Sequence, residues 1–355
     1  MVKESKSYIA TPPGATIKEQ LMDKNMTQKE FAVRMGLTEK HISKLINGDV
    51  NLTYDVANRL ESVLGVPAKF WNNLEARYRE KLLKIEEENQ MDEDIAIAKN
   101  LPYNEMSSFG WVEKTSNSIE KVTNLRKFFE VTQLTLINDI RLNQIICRRL
   151  SITQKSDLAL IAWTQKARIE ARNIETSKIN IDLLKQSLPS LRSLTIQDPE
   201  DFCPNLCSTL SKCGIALVFL PHLSGSYLHG ATFFEKNKIV IGLTVRGKDA
   251  DRFWFSFFHE IGHIILKHID HIYDINKKDE LEADKFAKDI LIDEQNFSHF
   301  IQKNDFSKSS IITFANELQI DPGIVVGRLQ KEKYIPYDRF NILKKKYEIK
   351  TGEHL

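Results

Sequence analysis

The run Phe253 to Ile269, FWFSFFHEIGHIILKHI, constrains this chain more than any other stretch. A helix so apolar on most sides must be buried, yet this one carries His259, Glu260 and His263, whose polar atoms need partners once water is removed. Side chains four residues apart stack on one helix face, so both imidazoles can reach one metal ion with Glu260 beside them. Zinc would satisfy His259 and His263. Glu260, one residue out of step, would stay off the metal and act as general base on a water molecule. A third protein ligand is required if a fourth position is to stay open. Glu282, nineteen residues after His263 in DELEADKFAKDILI, is the expected donor. Glu280 and Asp284 are alternatives, and only one of Glu280 and Glu282 can point inward. His268 and His271 read as charges near a helix end rather than as ligands.

The rest of the composition narrows the setting. With 355 residues, 42% hydrophobic and 28% charged, the chain can bury cores in two or three domains without staples. No apolar run approaches the roughly 20 residues of a spanning helix, and MVKESKSYIATPPG has no signal-peptide core, so a cytoplasmic protein with no membrane partner is expected. A net charge of +2 leaves any nucleic-acid partner to be argued from a local motif. Cys203 and Cys207 are spaced C-x3-C with no second pair, which suits reduced thiols packed as small hydrophobes better than a four-ligand zinc site.

Residues 1–12 read as a flexible arm ahead of a domain over 13–88. The pattern there gives short helices, with Thr27 and Thr38 as N-caps and Gly36 and Gly48 as stops. Two helices joined by a tight Gly-containing turn form a helix-turn-helix, packed through Ala32, Gly36, Leu37, Ile42 and Leu45. Gln28, Thr38, Glu39, Lys40, His41, Ser43 and Lys44 are the candidate DNA contacts. Fourteen Lys and Arg against ten Asp and Glu over residues 1–85 give a modest positive footprint. Met26 to Tyr78, with its LINGD turn and FWNNLEARY ending, resembles the lambda-repressor-type (XRE) helix-turn-helix of HigA-family antitoxins. The resemblance implies a homodimer that binds a palindromic operator through Thr38 to Ile46, with half-sites about 34 Å apart.

Residues 86 to about 100 are acidic and then weakly apolar and read as a helix tail and hinge. Helical periodicity returns from Glu105 to Ile196, including LTLINDIRLNQIICRRL, so 89–200 is expected to be a helical connector or bundle, with Trp163 in its core and Arg168 to Arg172 on its surface. GIALVFLPHL and HGATFFEKNKIVIGL then predict about three strands, the last two joined at Glu-Lys-Asn-Lys. The Gly230 to Phe234 strand is the expected open edge for an extended substrate. In DPGIVVGRL, Ile324, Val325, Val326 and Leu329 are expected to close the core, rather than to form a second DNA-binding unit with Arg328, Lys331 and Lys333.

Residues 201–355, through DRFWFSFFHEIGHIILKH, LEADKFAKDILI and GATFF, resemble the ImmA/IrrE metallopeptidases, which cleave or inactivate transcriptional repressors. That resemblance implies His259, His263 and Glu282 as Zn2+ ligands and Glu260 as catalytic base. The fold class expected is mainly α with a small α+β part: a five-helix helix-turn-helix domain, a helical connector and a zincin-like peptidase domain with a small sheet. The function expected is a DNA-binding transcriptional regulator carrying a zinc endopeptidase that cuts a repressor- or antitoxin-type protein. Two alternatives stand beside it. One is an antitoxin-like autorepressor whose peptidase fold only binds a toxin or senses a ligand; the other is self-cleavage near the acidic stretch Glu86 to Asp94.

Overall fold

The computed structural model describes residues 3–138, 146–147, 154–226, 228–245, 248–270 and 277–349. The chain divides into two compact units, Met1–Ala96 and Ile97–Leu355. It is mainly helical with small sheets, and no helix among the described residues is long and apolar enough to cross a membrane.

In the first unit, β1 (Lys3–Glu4) and β2 (Ile9–Ala10) pair antiparallel. Ser5 and Ser7 bond the Glu88 carboxylate, so the expected flexible arm is held as a hairpin. Five helices follow: α1 (Gly14–Asp23), α2 (Gln28–Met35), α3 (Glu39–Asn47), α4 (Tyr54–Leu64) and α5 (Ala68–Ala98). The hydroxyls of Thr27, Thr38 and Thr53 accept from Glu30, His41 and Val56 backbone N–H groups, each satisfying a donor that a helix start leaves over. Gly36 closes α2 at φ 65°. It is exposed rather than part of the core, where Phe31, Ala32, Met35, Ile42, Leu45 and Trp71 are buried. Of residues 86 to about 100, expected as a helix tail and hinge, 86–98 are the last part of α5. Its i,i+4 Lys and Glu residues include the Lys84–Glu80 pair at 2.6 Å, and such spacing favours an uninterrupted solvated helix.

The second unit contains α6 (Tyr103–Ser108), α7 (Ser118–Phe129), β3 (Ile146–Cys147), α8 (Gln154–Arg172), α9 (Ile181–Ser193), α10 (Pro199–Lys212), β4 (Ile215–Phe219), β5 (Gly230–Glu235), β6 (Lys238–Leu243), α11 (Ala250–Ile265), α12 (Lys277–Leu291), α13 (Glu294–Gln302), α14 (Lys308–Leu318) and α15 (Pro322–Lys331). The expected connector over 89–200 is not a body of its own. α8 packs on β4, β5 and β6, with Trp163 buried and its indole N–H donating to Pro221 O at 3.0 Å. Arg168 pairs with Glu235, and Arg172 with Glu130 and Glu235. LTLINDIRLNQIICRRL is not one helix: Leu134–Asn138 is a 3-10 turn, Ile146–Cys147 is strand, and residues 139–145 and 148–150 lie outside the described residues.

The sheet order is β3-β5-β6-β4, with β4 parallel to β6 and the other pairs antiparallel. β5 and β6 meet at the expected turn, where Lys236 takes φ 54°. The sheet's other strand, β3, changes one expectation: Ile146 pairs with Thr232 and Cys147 with Ala231, so the Gly230 to Phe234 stretch is an inner strand and not an open edge. Ile324, Val325, Val326 and Leu329 on α15 are buried in the core, as expected. Arg328 is spent on Glu294 and Glu332 and stacks over Phe297.

Candidate metal centre

α11 buries eleven of its sixteen residues, including Phe253, Trp254, Phe257 and Phe258. Each buried Phe contributes about 1.5–3 kcal/mol relative to its exposed state, so the helix has little freedom to rotate. That fixes where the polar residues point. His259, Glu260 and His263 are all buried, and the two Nε2 atoms lie 3.0 Å apart.

α12 lies against this helix through the stripe Ala283, Ala287 and Leu291. Gly262, in the middle of HEIGH, permits the approach: a Cβ there would sit 3.1 Å from Phe286 Cδ1 and 3.3 Å from Ala283 Cα. Glu280 is three residues before Ala283 and so shares the inward stripe, whereas Glu282 is turned about 100° away from Ala283. Glu280 carboxylate oxygens accordingly come to 3.5 Å from His259 Nε2 and 3.4 Å from His263 Nε2. Glu282, the expected third ligand, is not part of this group. Its side chain is 45% exposed and reaches His268 Nε2 at 3.3 Å.

The donors fit a small divalent cation. Both Glu280 oxygens are buried and face the two imidazole Nε2 atoms, with no closer polar partner. Zinc with ligand bonds of 2.0–2.2 Å in a tetrahedron separates its donors by about 3.3–3.6 Å; the two Glu280–histidine separations, 3.4 and 3.5 Å, fall in that range, and the two Nε2 atoms at 3.0 Å are slightly closer. Two histidines and a carboxylate are also the donor set that leaves one position open.

Electrostatics around the group follow from burial. Burial lowers the His259 pKa, but hydrogen bonds to Asp284 and Glu280 and the neighbouring Glu260 outweigh it and raise it to about 9. Burial pushes Glu280 up, yet the two imidazoles more than reverse this and hold it well below the usual carboxylate range. Glu260 is raised, chiefly by burial, opposed by the two histidines and by Thr232. The Thr232 hydroxyl donates to Glu260 Oε2 at 2.5 Å and fixes the carboxylate. Gly230 on β5 makes room for it, since a Cβ there would lie 2.7 Å from Glu260 Oε1.

Three participants were not assigned these roles from sequence. Thr232 lay in a strand read only as a platform. Asp284, weighed as a ligand, instead takes His259 Nδ1 at 2.8 Å. His268 is buried against His263, their Nδ1 atoms 3.1 Å apart. His271 lies outside the described residues. A cavity of about 340 Å³, lined by His229, Phe255, Asp284, Lys288, Leu291 and Ile292 among others, opens beside Asp284. No cysteine belongs to a candidate metal group among the described residues; burial pushes the Cys203 thiol up to about 11 and raises Cys207.

In the first unit, Glu39, Lys40 and Lys44 are exposed, and His41, Ser43 and Gln28 are half-buried. Thr38 is exposed but its oxygen caps α3. Gln28 and Ser43 line one groove together with Lys18, Asn25 and Asn47, the last three not singled out from sequence.

Comparison with known proteins bears on both units. Residues 17–71 match the family model described as helix-turn-helix, and residues 211–330 match that of the IrrE N-terminal-like domain. Over 63 residues, 18% of this chain and 67% of the relative, the sequence is 35% identical to the uncharacterized HTH-type transcriptional regulator YddM of Escherichia coli (strain K12).

Proposed function

Because the chain joins an XRE-type helix-turn-helix transcription-regulator domain to an IrrE/ImmA-like peptidase domain, we propose that it is a DNA-binding regulator whose second unit is a zinc endopeptidase acting on a repressor- or antitoxin-type protein. One observation carries the catalytic half: His259, His263 and the buried Glu280 carboxylate converge on one point, with Glu260 held beside it by Thr232. In this reading Glu280 takes the ligand role that the sequence suggested for Glu282.

A bound zinc ion supplies a Lewis acid that polarises the scissile carbonyl. The chain's own residues do the rest. Glu260 takes a proton from the attacking water and returns it to the leaving amine; its raised pKa brings it toward the range in which one carboxyl can do both. Thr232 holds Glu260 Oε2 and so fixes the carboxylate that would take the proton. Asp284 accepts from His259 Nδ1 and turns its Nε2 toward the centre. Exposed Lys40 and Lys44, one turn apart on α3, supply phosphate contacts for the operator, bound by a cytoplasmic homodimer.

Glu260→Gln tests the reading, since it leaves the three metal donors untouched. Zinc content should stay at the wild-type value while cleavage falls by about 10²- to 10⁴-fold. The measurement is a survey of new protein N termini in cells expressing either form. A regulatory protein cut only by the wild type supports the proposal. Identical N termini in both, with zinc bound, would replace it with the antitoxin-like reading, a site that binds without turnover.

A further inference from the structure

Five residues beyond His263, a continuing helix would point a side chain about 140° away from it. The chain does otherwise. α11 ends at Ile265, Lys267 takes the left-handed conformation at φ 61°, and His268 opens a 3-10 turn with its ring folded back beneath His263, centroids 5.2 Å apart. His268 also belongs to a second grouping of metal-ligating type, with Asp279 and Glu282. That grouping invites assignment as a second ion site. Proton positions argue against it.

We infer that His268 is a positioning residue for the metal centre, fixing the tautomer of His263 through a chain that runs His263–His268–Glu282. This rests on the proposed centre at His259, His263 and Glu280. If His263 presents its Nε2 lone pair to a cation, its single ring proton sits on Nδ1, because a neutral imidazole has one donor and one acceptor nitrogen. That N–H donates to His268 Nδ1 at 3.1 Å. His268 must then accept at Nδ1 and carry its own proton on Nε2, which donates to Glu282 Oε2 at 3.3 Å. Asp279 Oδ1 lies 4.0 Å from the same nitrogen.

Two consequences follow. His268 Nε2 has no lone pair for a second cation while the first centre is filled, so the two groupings are mutually exclusive unless an imidazole gives up its one remaining ring proton. Glu282 therefore serves the metal at two removes, which accounts for a carboxylate that sequence spacing places near the ligands and the fold leaves outside them. His259 reaches the same end by a shorter route, through Asp284 directly.

Zinc titration of the full chain against a competing chromophoric chelator tests this without any activity assay. His268→Asn keeps an acceptor at the Nδ1 position, whereas His268→Gln carries its amide one bond further out and offers none there. The wild type should take one equivalent. His268→Gln should bind about 10- to 100-fold more weakly, the range seen when the partner of a ligating histidine is lost, and His268→Asn should restore most of that affinity. Equal affinities for Asn, Gln and wild type would overturn the inference. So would two equivalents on the wild type with the second lost in Glu282→Ala, which would make the grouping an ion site. No zinc on the wild type would instead overturn the metal centre itself and this inference with it.

Discussion

Helices α3 and α11 carry the polar residues to which the proposed functions are assigned, and they treat them in opposite ways. α3 buries Ile42 and Leu45 and turns Glu39, Lys40 and Lys44 to water. α11 buries His259, Glu260 and His263 among aromatic side chains. A solvated lysine asks nothing of the fold, so it is available to a partner and contributes little to stability. A buried imidazole or carboxylate must be answered by another group. Around α11 three answers are present, Asp284 for His259, His268 for His263 and Thr232 for Glu260, while the Glu280 carboxylate faces the two imidazoles where the proposed cation would bind. The proposed recognition surface is therefore a matter of side-chain identity, and the proposed metal centre a matter of architecture.

That contrast can be broken by paired substitutions. Phe257→Ala on α11 should cost about 3–5 kcal/mol, as a fully buried ring leaves a cavity behind. Thr38→Ala, which removes the α3 cap, should cost about 1 kcal/mol. Denaturant unfolding of the full chain, following each unit's own transition, measures both. Comparable costs would remove the distinction. Smaller still is the expected effect of Lys40→Ala with Lys44→Ala, whose stability should stay within about 0.5 kcal/mol of the wild type for each substitution. Operator affinity should nevertheless fall, and its dependence on log salt should flatten by about one per lysine lost. Retention of the wild-type slope would take α3 out of the DNA interface.

The same contrast explains what the sequence disclosed. Thr27, Thr38, Gly36 and Gly48 marked the first unit's helices because capping is a local interaction between a side chain and backbone a few residues away. The HEIGH spacing was equally local. The donor on the partner helix was not, because Glu280 and Glu282 both lie on α12 and only the packing direction separates them. The sequence offered both: Glu280 is in phase with Ala283, Ala287 and Leu291, which the fold buries, and Glu282 is in phase with Phe286 and Ile290, apolar residues that the fold leaves only partly buried. The inner position of β5 was out of reach, since β3 is two residues of an otherwise helix-like run and pairs with Ala231 and Thr232 from far away in sequence. His268 was legible only as a helix end, because the left-handed turn at Lys267 that returns its ring to His263 has no glycine to announce it.

The central claim is that Glu280, and not Glu282, completes the metal centre. Zinc affinity of Glu280→Ala and Glu282→Ala, measured side by side on the full chain, tests it most directly. Loss of the first-order ligand should weaken binding by more than about 100-fold, beyond the 10- to 100-fold expected from outer partners, while Glu282→Ala should remain within about tenfold of the wild type. Near-wild-type affinity in Glu280→Ala with binding abolished in Glu282→Ala would contradict the assignment.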